Sequence, residues 1–466
     1  MSQGEQPRGV TGPIPRELMR LALPVLASQL LRVGYQWVDA LWVRGLGVEA
    51  TAAVTTSMFV MWTVYSLMDI FGGGVSAYVS QLMGAGERRR AGLAAWQGLR
   101  AVAVMGLGCG VLGAFGARHV YQFMHASPGV VEQGGRFLSI IAMGSVLPMT
   151  AFTAETVMRA SGNTRVPLVI DLCAVALNAL LDPLLIYGLG PFPKLGVAGA
   201  AYATVIAQAV SVACYAWVAW RRHPAFPLAR RATGAPVGAR ALAKVGVPTA
   251  LIGIMFSLVY VAFSRSAARY GASSLAIVGI ANRVEAIVFV FGVSLGIAGA
   301  ALVGQNLGAG LPERAERTIR TGLAWAVWIA LALTATIVAW PGAYVGLFTR
   351  DAEALRIGVP YLRILALCLP ATAIELVTAE AILGSGHTRV LSMLYNVVSL
   401  VRIPLAFWVP EWLHGGVLGI AWVITVTCIA RTLAIVVWAL RGTWKRGLAH
   451  ELHGVPPPVS GPDARA

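Results

Sequence analysis

The chain has 466 residues, 57% of them hydrophobic and only 12% charged, against about 25% charged in an ordinary soluble domain. One soluble core stops growing near about 250–300 residues, and too little polar sequence is present to coat it, which excludes a soluble globular protein. The formal charge of +16 would suit nucleic acid. However, the basic residues fall in separate clusters between apolar runs, which excludes that partner and points to a lipid bilayer.

Residues 1–15 read as an N-terminal tail. Pro13, Pro15, Arg16 and Glu17 precede the first apolar run without a small-residue cleavage site, which argues against a signal peptide. Apolar runs long enough to cross a bilayer (roughly 20 residues) then recur along the whole length. The clearest are 101–115 with its flanks, 198–220, 277–303 and 324–340. The pattern predicts an all-α polytopic membrane protein of about twelve transmembrane helices. It comprises an N-lobe six-helix bundle at 16–220, a basic cytoplasmic linker at 221–240 and a C-lobe six-helix bundle at 241–445. A disordered cytoplasmic tail follows at 446–466. Arginine-rich gaps at 88–90, 221–240, 314–320 and 441–446 alternate with nearly neutral ones. The positive-inside rule therefore puts both termini on the cytoplasmic side of an inner membrane. Cys109, Cys173, Cys214, Cys368 and Cys428 sit in apolar runs without metal-ligand spacing and read as small packing residues.

The two halves share a register. "SQLMGAG" at 80–86 returns as "GQNLGAG" at 304–310, "SGNTR" at 161–165 as "SGHTR" at 385–389, and Pro24 as Pro248, each at an offset of 224. "GVAGAAY" at 196–202 resembles "GVLGIAW" at 416–422, now offset by 220. With six helices per half the duplication preserves orientation, so the repeat is parallel. Two parallel bundles about an axis along the membrane normal leave a central cavity between them, a common transporter plan. The glycine-containing turns after the second and fourth spans read as structural reversals.

Charges inside spans cost several kcal/mol and are functional candidates by default. Asp39 lies late in span 1. Asn178 and Asp182 lie in span 5, four residues apart and so on one helix face. Thr204 in span 6 falls at the same depth, and Tyr35, four residues before Asp39, reaches the same pocket. These oxygens suit a transported proton, shared between desolvated, mutually repelling carboxylates, or a sodium ion at Asp39, Asn178 and Asp182. Pro24 and Pro183 each remove a backbone donor, so spans 1 and 5 are candidates to bend when a cation binds. At the 224 offset Asp39 becomes Phe263, Asn178 becomes Arg402 and Asp182 becomes Ala406, so the scaffold is duplicated and the acid cluster is not. Glu285, Glu375, Glu380 and Arg402, with Glu155 and Arg431, are placed evenly between structural pairing and a cavity or secondary ion role. Asp69 and Asp171 are expected near cytoplasmic ends, paired with arginines or water. Trp37, Met58, Phe59, Trp62 and Phe256 are candidates to face flat apolar substrates.

Pro24, Asp39, "RASGNTRVP" at 159–167, "NALLDP" at 178–183, "GAAYAT" at 199–204 and "VGQNLGAG" at 303–310 together resemble the multidrug and toxic compound extrusion family over nearly the whole chain. The resemblance implies twelve helices in two lobes and export of organic cations by proton or sodium antiport. It also implies an N-lobe cation site at Asp39, Asn178, Asp182 and Thr204 with Tyr35 nearby. No acid falls at 245–263 in span 7, where several branches carry one, and Glu375 is about three positions from the span-10 acid of some sodium-coupled members. Coupling through the N-lobe alone is therefore favoured. A monomer without resident cofactor, acting on small molecules and not an enzyme, is expected; the alternative is a lipid-linked saccharide flippase of the same wider superfamily.

Overall fold

The computed structural model describes residues 7–124, 126–221, 226–229 and 237–448. After a short helix α1 (Arg8–Thr11), the N-lobe comprises α2 (Ile14–Arg44), α3 (Val48–Gly84), α4 (Arg88–Phe123), α5 (Pro128–Met143), α6 (Val146–Ala160), α7 (Arg165–Tyr187) and α8 (Val197–Trp220). The C-lobe comprises α9 (Ala239–Ala268), α10 (Ala272–Gly308), α11 (Pro312–Ala339), α12 (Pro341–Gly346), α13 (Ala352–Ala366), α14 (Leu369–Leu383), α15 (Thr388–Trp412) and α16 (Val417–Leu440). Among the described residues there is no strand.

Eight of these helices are individually long and apolar enough to span a bilayer, and two bent pairs, α5–α6 at 48° and α13–α14 at 49°, each form one further broken span. The helices α2 and α3, 31 and 37 residues long, complete the twelve. The broken spans have a local cause: Pro148 and Pro370 lie in the first turn of α6 and α14, where a missing N–H interrupts the ladder from the preceding helix. Pro24 and Pro183, by contrast, lie inside α2 and α7, which stay single helices here. Their neighbours tolerate one lost backbone bond in a packed span.

The repeat is written into the backbone. Gly86 and Gly310 have φ of 78° and 73°, and Gly162 and Gly386 have 86° and 81°, so each left-handed turn recurs 224 residues later. Only glycine adopts this conformation without a Cβ penalty. The expected reversals are therefore present in both lobes.

The lobes close against each other at the basic end. A Cβ on Gly84 would overlap the Gln305 carbonyl, and one on Gly308 would overlap the Gln81 carbonyl, so α3 and α10 cross backbone to backbone. Around this crossing Gln81 Nε2 donates to Gly384 O at 2.8 Å and Gln305 Nε2 donates to Ala160 O at 2.9 Å. Both donor and acceptor pairs obey the 224 offset. Further along α3, Gly74 lies against the Leu242 backbone of α9, and Gly246 of α9 against that of Ile70. Small residues let these backbones approach where lipid supplies no hydrophobic drive between helices.

Parts of the expected tails and linker are folded. Val10 is buried, Asn306 Nδ2 donates to Gly9 O at 3.3 Å, and Arg314 donates to Gly12 O. These contacts tie residues 8–15 to the C-lobe. In the linker Phe226 is buried and stacks on Tyr215, while 222–225 and 230–236 lie outside the described residues. Leu448 is buried and its N–H donates to Gln81 Oε1 at 2.6 Å; 449–466 lie outside the described residues.

Candidate functional site

Three N-lobe helices bring the acid cluster together. Asp182 and Asn178 on α7 are 0% and 1% exposed, whereas Asp39 and Tyr35 on α2 and Thr204 on α8 are half-buried. The site is thus closed at its floor and approached from the α2–α8 side. With its amide nitrogen turned toward the carboxylates, Asn178 donates to Asp39 Oδ1 at 3.2 Å and to Asp182 Oδ2 at 3.1 Å. Its oxygen then accepts from the Thr204 N–H at 3.2 Å. The Thr204 hydroxyl donates to Ala200 O at 3.0 Å, which leaves its oxygen to accept from Tyr35 Oη, also at 3.0 Å. All five residues expected at one depth are therefore in one hydrogen-bonded group.

One atom of the group has no partner. Asp182 Oδ1 is buried and accepts no hydrogen bond, an arrangement that costs free energy unless a proton or a cation occupies it. A sodium ion between the carboxylates would have to turn Asn178 so that its oxygen replaced its nitrogen. A proton shared by Asp39 and Asp182 needs no such turn.

The other buried acids are mostly neutralised by arginine. About two turns inward from Asp39, about 10 Å along α2 at 1.5 Å per residue, Arg32 Nη2 binds Glu155 at 2.7 and 2.6 Å and Asp171 at 3.4 Å. Arg159 also pairs with Glu155. Asp171 thus has the arginine expected of it. Asp69 does not: it lies well inside α3, whose inner end extends to Gly84, beyond reach of the basic loop. Among the described residues it has no basic partner.

In the C-lobe Glu375 pairs with Arg431 at 2.7 Å and accepts from Thr432 Oγ1 at 3.3 Å. The Arg431 guanidinium also sits over the Tyr395 ring, 4.4 Å from its centroid. Glu375 is therefore in a structural pair, as one of its two readings expected. Arg402, which stands where the N-lobe has Asn178, donates through Nε to Thr427 Oγ1 at 2.7 Å. Phe263 and Ala406, the counterparts of Asp39 and Asp182, are buried apolar residues. Glu285 and Glu380 are half-buried, with no basic side chain in ion-pair contact among the described residues. Phe256 is 47% exposed and stacks on Tyr260; the side chains of Trp37, Met58, Phe59 and Trp62 lie outside the described residues. Of the cysteines, Cys368 and Cys428 are buried, whereas Cys173 is exposed because it faces outward from α7.

Sequence reasoning did not single out Arg32 and Arg159, which organise the inner polar layer. The signal was available: Arg32 is a full charge in the same span as Asp39, and Arg159 lies one helical turn from Glu155.

Two repeated six-helix lobes, joined at one end and enclosing a buried polar cluster, define a polytopic membrane transporter. The MatE family model matches residues 24–184 and 248–408, two segments separated by the same 224-residue offset. The chain belongs to the MatE family of multidrug and toxic compound extrusion transporters. It is 25% identical over 431 residues to a protein of Shewanella oneidensis named "FAD transporter", covering 91% of this chain and 94% of the relative. It is 26% identical over 440 residues to the Thermotoga maritima "Probable multidrug resistance protein NorM", covering 93% and 94%. The fold matches an outward-facing multidrug resistance transporter of this family with a TM-score of 0.87 at 21% identity, over 95% of this chain and 98% of that one. A Pyrococcus furiosus transporter, described as having a binding pocket of reversed polarity, matches with a TM-score of 0.87 at 20% identity over the same shares.

Proposed function

We propose that this protein is a cation-coupled antiporter of the inner membrane, acting as a monomer with both termini cytoplasmic. It exports small organic compounds, cationic or amphipathic, by alternating access. The observation that carries this reading is the contrast among the buried acids. Glu155, Asp171 and Glu375 are each neutralised by arginine, while Asp69, Glu285 and Glu380 stand singly without one among the described residues. Asp39 and Asp182 share one amide donor, have no basic partner among the described residues, and leave Oδ1 of Asp182 unsatisfied. Such a pair is stable when it holds one proton or one sodium ion and unstable when empty, which is the property a coupling site needs.

The energetics suffice. One charge is worth about 2.3 kcal/mol per 100 mV, so a driving force of ~150–200 mV supplies about 3.5–4.6 kcal/mol. For a neutral cargo that sustains a gradient of roughly three hundred- to two thousand-fold per cation.

The test is reconstitution in liposomes, following efflux of a fluorescent organic cation under an imposed proton or sodium gradient. Transport driven by one gradient and absent without it supports the reading; a wild type indifferent to both overturns it. A second cargo class follows from Arg402, a buried cation whose hydrogen-bond partner among the described residues is the Thr427 hydroxyl. An anionic nucleotide cargo, as the name of the Shewanella relative indicates for that protein, is tested in the same liposomes loaded with FAD. A lipid-linked saccharide, the flippase alternative, is the third cargo to load.

A further inference from the structure

A cavity of about 970 Å³ opens at the basic end of the N-lobe, away from the acid cluster. Its charged rim is made by Arg8 of α1, Arg16 and Arg20 of α2, and Arg165 at the start of α7. The acid among them, Glu17, is tied to Arg20 at 2.6 Å. Among the described residues no carboxylate lies within ion-pair distance of Arg8, Arg16 or Arg165.

A buried polar side chain lies in the same wall. Thr164 lines the cavity, is 3% exposed, and its hydroxyl oxygen has no hydrogen-bond partner. The α7 N-terminus does not supply the site, because the N–H groups of Arg165 and Val166 both donate to Asn163 Oδ1 at 3.1 Å. Binding there falls to side chains.

The other wall is apolar and faces outward. Met19 and Leu23, successive turns of α2 leading into the span, line the cavity at 40% and 54% exposure. Arginines at the end of a span with exposed apolar residues one turn deeper match the layering of a phospholipid, phosphate above and acyl chain below.

We propose that this cavity binds an anionic phospholipid, its phosphate held among Arg8, Arg16, Arg165 and the Thr164 hydroxyl, with an acyl chain along Met19 and Leu23. Free inorganic phosphate shares the headgroup chemistry but has no use for the apolar wall, so the lipid is the ligand. The site spans α1, α2 and the α6–α7 turn, and its occupancy fastens the inner end of α2 to α7.

Native mass spectrometry of the full chain tests this, after exchange from phosphatidylcholine into detergent with phosphatidylglycerol, phosphatidylcholine or inorganic phosphate. Phosphatidylglycerol is expected to be retained in preference to phosphatidylcholine. Each arginine contributes about a five-fold gain, the equivalent of about 1 kcal/mol. The Arg16→Gln/Arg165→Gln variant should therefore lose roughly 25-fold in retention, while Arg240→Gln/Arg389→Gln, with the same charge change outside the cavity, should retain it. Thr164→Val, which alters no charge, should weaken retention by about two- to ten-fold and serves if the double variant fails to fold. Equal retention of both lipids, equal loss in the control variant, or binding of inorganic phosphate with no preference for phosphatidylglycerol would each overturn the proposal.

Discussion

Replacing Gln81 by alanine removes two hydrogen bonds that join the lobes at the basic end. Nε2 donates to Gly384 O at 2.8 Å, and Oε1 accepts from the Leu448 N–H at 2.6 Å. Gln305, its counterpart, makes one inter-lobe bond, to Ala160 O at 2.9 Å, and leaves its own Oε1 without a partner. With a net value of about 0.5–1.5 kcal/mol per hydrogen bond, Gln81→Ala should destabilise the closed basic end by roughly 1–3 kcal/mol. Gln305→Ala should cost roughly half as much. An equilibrium between closed and open basic ends then shifts about 5- to 150-fold for Gln81→Ala and about 2- to 12-fold for Gln305→Ala. Distances between spin labels on Arg89 and Arg317, measured by pulsed electron resonance in nanodiscs, report the populations. A larger shift for Gln305→Ala than for Gln81→Ala, or no shift for either, would refute the reasoning.

Other outcomes follow from the buried ion pairs and from one exposed cap. Glu375→Gln leaves Arg431 buried without its carboxylate and should cost about 3–5 kcal/mol, read as a lowered melting temperature in detergent. Glu380→Gln, which removes a charge with no described basic partner, should leave that temperature unchanged or higher; equal losses in the two variants would contradict the pairing. Asp351 caps α13 by accepting from the Glu353 and Ala354 N–H groups. The Ser273 hydroxyl, donating to it at 2.8 Å, and then the Ala354 N–H hold its carboxyl below the usual range. A depressed folded value means the cap's contribution is fully present above the unfolded value, near pH 4, and is lost as pH falls through the folded one. Exchange protection of the Ala354 amide should therefore be steady from pH 7 to about pH 4 and fall below it; protection unchanged to pH 2 would count against the cap.

Much of this architecture was legible because the duplicated turns are glycine turns. The 224 offset seen in "SQLMGAG" and "GQNLGAG" reappears as matched backbone angles at Gly86 and Gly310, since a left-handed reversal constrains residue type directly. The acid group was legible for a similar reason. Depth along a span follows from residue count, and Asp39, Asn178, Asp182 and Thr204 were placed at one level by counting alone. Lateral pairing did not follow from the sequence. Which face of α2 meets which face of α6 depends on packing between helices 123 residues apart, so the Arg32–Glu155 bridge emerged only from the fold. The glutamines of the repeated motif were visible in both halves, but their role lies across the lobe interface. Periodicity within one helix does not report that contact.

The central claim is that Asp39 and Asp182 bind the driving cation, and charge displacement on a solid-supported membrane tests it most directly. A jump in proton or sodium concentration, without cargo, should displace charge across wild-type protein in a saturable way. Asp182→Asn should abolish the displacement and Asp39→Asn should reduce or abolish it, with both variants still folded by their melting curves. Saturable displacement of wild-type size in both variants would contradict the account and move the search for coupling to Glu285 and Glu380.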